Sequence, residues 1–185
     1  MKKGLLAVIG IVLLVGLWLM GLYNGLVKSD QEVKTQWAQV ETQYQRRFDL
    51  IPNLVESSKA VLKQEQALID SVTEARTKYS GATSIDEKAK AAGEVESALG
   101  RLLVVMENYP ELKSDETVQR LMDELAGTEN RVAVERKRYN DLVGSFNIQV
   151  KTFPTNVFAG MLGFSEKAFF EAAEAASTAP TVNFN

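Results

Sequence analysis

No charged side chain occurs between Gly4 and Val27, and nothing else in the sequence restricts so strongly what this chain can fold into. Those 24 positions hold mainly Leu, Val, Ile, Gly, Met and Trp. At about 1.5 Å per residue they span roughly 36 Å as a helix, against a hydrocarbon core of about 30 Å. Lys2 and Lys3 bound the run on one side; Lys28, Asp30 and Glu32 bound it on the other. Trp18 and Tyr23 fall toward its C-terminal end, where amphipathic rings favour a membrane interface. A cleaved signal peptide would have a shorter apolar run followed by a small-x-small cleavage pattern, and neither is present. The expectation is a retained, single-pass transmembrane anchor over residues 1–27.

About 155 residues follow, enough for one domain with its own core. The formal charge of −3 and the pI near 5.2 leave no basic footprint for nucleic acid. Cysteine is absent, so there is no disulfide and no site for a lipid thioether. Histidine is absent too, which removes His-based triads, imidazole bases and His or Cys metal ligands. No Gly-rich phosphate loop, nucleophile elbow or Ca²⁺ loop occurs. The chain is therefore expected not to be an enzyme and to need no cofactor or metal. A carboxylate-only enzyme using Glu65 and Glu129 is the catalytic alternative.

Beyond residue 28 the pattern is helical throughout. Apolar positions step by four and three from Val33 through Trp37, Val40, Tyr44, Arg47, Ile51, Leu54 and Ser58, then on through Val61, Glu65, Leu68, Val72 and Ala75 to Tyr79. This is a heptad seam of coiled-coil type. It passes Pro52 in phase, and a reversal is expected to reset the phase, so the spacing predicts one helix from about 29 to 80, kinked at Pro52. Ser80-Gly81 stops it. Thr83 or Ser84 caps a second helix, with Asp86 and Glu87 in its first turn and a seam ending at Met106. Small residues along it, including Ala91, Gly93, Ala98 and Gly100, permit close helix approach. Asn108-Tyr109-Pro110 interrupts the pattern. Ser114 opens a third helix, whose seam runs from Val118 to Phe153 and closes before Pro154. An apolar loop, FPTNVFAGMLGF, is then followed by a short helix over 165–176 capped by Ser165, and by a loose tail over 177–185.

Charged residues intrude into both long seams: Arg47 and Glu65 on the first helix, Glu129 and Arg136 on the third. They form either a buried ionic lock on register or oligomer state, or edge residues that snorkel to water. The acids Glu107, Glu111, Asp115 and Glu116 gather at a turn without a recognised cation-ligand spacing and read as helix-terminal acids. Arg46 and Arg47 are expected to pair with carboxylates rather than bind lipid headgroups. Gly21 and Gly25 form a small-xxx-small pattern that can pack transmembrane helices. Phe153, Phe158, Met161, Leu162 and Phe164 are a candidate interaction surface if exposed. The competing expectation is that they fold back as a fourth layer on a three-helix bundle.

Several stretches together resemble the LemA family of bacterial membrane proteins: YNGLV at 23–27, RRFDLIPNLVE at 46–56, ENYPELKSDE at 107–116, ELAGTENRVAVERKRYNDLVGSFN at 124–147 and FPTNVFAGMLGF at 153–164. The resemblance implies a single N-terminal transmembrane helix in a bacterial inner membrane and an antiparallel helical bundle. It brings no set of catalytic residues. It also implies kinship with a magnetosome-membrane biogenesis protein, and a link in some members to a membrane-bound metallopeptidase. The resulting expectation is an all-α chain whose anchor continues into a three- to four-helix bundle over 28–176. It would bind the lipid bilayer, form a homo-oligomer and act as an envelope scaffold, or alternatively as an adaptor of a membrane-bound protease. The basic tail of Lys2 and Lys3 places the N-terminus inside and the bundle on the extracytoplasmic side.

Overall fold

The structure is a computed structural model that describes residues 2–170, and among them it is all-helical. The elements are α1 (Lys2–Ser58), α2 (Gln66–Gly81), α3 (Ile85–Met106), α4 (Pro110–Ser114), α5 (Glu116–Lys151) and α6 (Thr155–Ala159). They group into two compact units. One comprises α1 up to Gln39 with Lys137–Phe169; the other comprises Val40–Arg136 with Phe170.

In the first unit, α1 and α5 lie antiparallel, with the Trp37 and Tyr139 rings 5.3 Å apart edge to face and Gln149 beside Gly25. The core here is Leu26, Val33 and Trp37 against Tyr139, Val143, Phe146 and Val150. Extended chain after residue 163 is stitched to α5 by Asn147. Its amide donates to the Lys167 carbonyl and accepts from the Lys167 N–H, both at 2.8 Å. Tyr139 Oη donates to the Ala168 carbonyl. Lys167 also reaches back to α1, pairing at 2.6 Å with Asp30, which Lys34 meets from one turn away at 2.7 Å.

The second unit is an antiparallel four-helix bundle. The Tyr79 ring lies 5.6 Å from Tyr44 and 4.6 Å from Phe48, so α2 runs back along α1. A single helix would separate residues 48 and 79 by roughly 46 Å. The long first helix expected over 29–80 is thus corrected: α1 ends at Ser58 and α2 starts at Gln66. Ser58 Oγ donates to the Leu54 carbonyl at 2.6 Å, its own carbonyl accepts from Val61 and Leu62, and Leu62 turns fully inward. The seven residues 59–65 between the helices amount to one heptad, which is why the seam keeps its phase through a reversal. α2 and α3 pack as a hairpin. Ser84 and Glu87 cap α3 in a reciprocal capping box.

Two further expectations are corrected. The cap of α5 is Asp115, whose carboxylate accepts from the Thr117 and Val118 N–H groups, because Ser114 is still inside the short helix α4. No helix starts at Ser165: residues 164–170 are extended, since Asn147 and Tyr139 engage their backbone, while residues 171–176 of that expected helix and the tail lie outside the described residues.

Two outcomes follow from the stitching of the 164–169 segment. Asn147→Ala leaves a buried backbone N–H and carbonyl unpaired, and is expected to cost about 1–3 kcal/mol in urea denaturation of the detergent-solubilised chain. Burial of the Asp30 carboxyl would raise its pKa, but the Lys167 and Lys34 ammoniums outweigh this and hold it below the usual carboxylate value. A depressed carboxyl stabilises the fold above its unfolded pKa and ceases to do so as pH falls through its folded one. Asp30→Asn should therefore lower the urea midpoint at pH 7, and the gap to the parent should close as pH falls below about 4.

Candidate functional site

The charged intruders of the seam meet in the second unit, but not with one another alone. Arg47 is 3% exposed, and its Nη2 donates to Glu129 Oε2 at 3.4 Å, while Glu129 itself lies at the surface. Nε and Nη1 of Arg47 have no partner among the protein atoms described. Thr128, not Glu129, fills the inward seam position between Leu125 and Val132. Arg136 Nη1 donates to both carboxylate oxygens of Glu96 at 3.3 and 3.4 Å, and its guanidinium lies 4.1 Å over the Phe170 ring. Glu96 also accepts from Tyr44 Oη at 2.9 Å. Burial, then the Glu96 charge, push the Tyr44 phenol far above its usual pKa, so it stays a donor. Glu65 lies apart from this group and accepts from Tyr109 Oη at 3.3 Å.

Arg47 is therefore a buried cation with a surface carboxylate for its partner, and the contacts around Arg136 join α1, α3, α5 and Phe170. Sequence reasoning did not find Glu96 or Tyr44 as partners. Glu96 sits on α3 beside the seam residue Val95, and only the bundle geometry brings it under Arg136. Asp115, from the acidic turn, is occupied in capping, and no group of three or more Asp, Glu, His or Cys that could hold a metal occurs among the described residues.

The first unit carries a different kind of surface. From Leu5 to Trp18 the large apolar side chains of α1 are 47–68% exposed, and α1 is long and apolar enough to cross a membrane. Gly25 is approached by the Gln149 side chain, whereas among the described residues nothing lies within 4 Å of a Cβ placed on Gly21. The expected fourth layer is supplied by α2 and not by the FPTNVFAGMLGF loop, which packs on α1. Phe158 meets Trp18 with ring centroids 6.1 Å apart, and Phe164 meets Tyr23 at 6.0 Å and Phe146 at 6.4 Å. Phe153 and Met161 remain almost fully exposed, and Leu162 partly so.

Arg47 yields a contrast that denaturation can measure. Arg47→Met keeps the stem volume and removes a poorly satisfied charge, so it should leave stability unchanged or higher. Arg47→Ala leaves a cavity instead and should cost about 2 kcal/mol or more.

Comparison with known proteins adds the kinship. The model of the LemA family matches residues 36–184. Magnetosome protein MamQ 2 of Paramagnetospirillum magneticum is 26% identical, over 84% of this chain and 67% of its own. Magnetosome protein MamQ of Magnetospirillum gryphiswaldense is 24% identical over the same shares. Protein LemA of Metamycoplasma hominis is 24% identical over 83% of this chain and 71% of its own. With all but the N-terminal stretch matched in one continuous span, the chain belongs to the LemA family.

Proposed function

We propose that this protein is a non-catalytic, membrane-anchored helical scaffold that self-assembles to organise or shape the bacterial cell envelope. The observation that carries the reading is the change of character along α1. Its first part exposes almost every apolar side chain, and from Leu26 to Ser58 the same helix buries a residue at nearly every third or fourth position. Polar contacts from Tyr44 and Arg136 to Glu96, and from Arg47 to Glu129, join helices of the bundle. The absence of His and Cys from the sequence removes the commonest acid, base and nucleophile chemistry. The relatives named as magnetosome proteins accord with a role at a membrane. The bundle is assigned to the extracytoplasmic side on the basic residues of the N-terminus.

Self-assembly is expected to use the exposed face of α1, where Gly21 allows close approach by a second helix. Full-length protein in detergent should run as an oligomer by light scattering. Gly21→Leu should shift it toward monomer without changing its melting temperature, because among the described residues nothing lies within 4 Å of a Cβ placed there. A strictly monomeric parent protein would rule out the scaffold. Crosslinking that yields one foreign protein in place of self-products would favour the adaptor of a membrane-bound metallopeptidase.

A further inference from the structure

We infer that residues 153–164 form a second lipid-embedded element, which enters the same leaflet as the C-terminal end of the α1 span and leaves by the same side. The inference rests on the anchoring reading of α1 given above.

Depth is the first argument. Trp18 and Tyr23 lie roughly 14 and 6 Å along α1 from Val27, the last residue of the apolar run. That run exceeds a bilayer core by about 6 Å. Even if the whole excess projects on the Val27 side, Trp18 remains roughly 8 Å inside the hydrocarbon. Phe158, against the Trp18 ring, is at that depth.

Charge is the second. Residues 152–165 contain no charged side chain, and the charges that bound them, Lys151 and Glu166, pair with each other at 2.7 Å. The chain thus leaves and returns through one salt bridge, and the next residue, Lys167, pairs with Asp30 of α1. On the far side of this neck, Phe153 is 78%, Val157 56% and Met161 82% exposed, on a loop that already touches the candidate span. Acyl chains are the occupant that makes this apolar surface continuous with that of α1.

Backbone bonding within the segment is the third, because each N–H paired inside it lowers the cost of leaving water. Thr152 N–H donates to Ile148, Asn156 to Thr152 and Val157 to Pro154. Leu162 donates to Phe158, Gly163 to Gly160 and Phe164 to Ala159. The last two form a Schellman closure, and Gly163, at φ +83°, supplies the left-handed residue it requires. Pro154 has no N–H to satisfy.

The absence of cysteine makes the test direct. An environment-sensitive fluorophore is attached to full-length protein carrying Val157→Cys, Met161→Cys, Trp18→Cys or Ser80→Cys. Each protein is reconstituted into phosphatidylcholine–phosphatidylglycerol vesicles containing lipids with a nitroxide on the acyl chain. The labels at 157 and 161 should lose most of their emission to the acyl-chain nitroxide, as the label at 18 does, while the label at 80 keeps its emission. Labels at 157 and 161 that are quenched by aqueous iodide, while 18 is quenched by lipid, would overturn the inference and leave the anchor standing. Protection from both quenchers would place the loop against protein and overturn it equally. A label at 18 untouched by the nitroxide would sink the anchor reading, and this inference with it. Phe153→Cys, also at an exposed position, repeats the measurement independently.

Discussion

Everything in this molecule depends on one stripe along α1. Leu26, Val33, Trp37, Val40, Tyr44, Ile51 and Leu54 are all buried, spaced by roughly one or two helical turns, and Trp37 and Tyr44 meet Tyr139 and Tyr79 of helices that follow in sequence. Burying such side chains is worth about 1.5–3 kcal/mol each, which offsets the conformational entropy of ordering the helices around them. The stripe starts inside the apolar run, at Leu26, so the segment expected to be an anchor and the segment that builds the core share one helix.

Polar interactions refine what the apolar stripe permits. Arg47 and Arg136 sit on seam positions and have their carboxylate partners on other helices, at Glu129 and Glu96. Neither pair is a strong source of stability, since a buried ion pair roughly breaks even against an apolar replacement. They link helices that the apolar stripe brings together. The Asn147–Lys167 exchange does the same for the extended segment. It uses a side-chain amide to imitate one rung of backbone pairing on a helix that has no free backbone groups to offer.

The helical class, the apolar run, the Ser84 cap and the seam from Val33 to Ser58 were all legible in the residues, because each rests on local propensity or on a 3.6-residue period. The ionic residues were legible as intruders on an apolar stripe, though not their partners. The reversal after Ser58 was not legible. Its seven connecting residues, KAVLKQE, contain neither Gly nor Pro and are good helix formers, and their number preserves the heptad phase. Only the gain from burying Leu62 and turning Tyr79 of α2 back onto Tyr44 and Phe48 breaks the helix there, and that gain is tertiary.

The sequence by itself determined which surfaces must be shielded from water: the uncharged run at the N-terminus, the heptad stripes and the loop between Lys151 and Glu166. Tertiary structure alone decided what shields them, because periodicity records which face of an element is apolar and carries no information about its partner. It brought α2 against α1, placed Glu96 under Arg136, and laid Phe158 on Trp18 where the same residues might have covered the bundle.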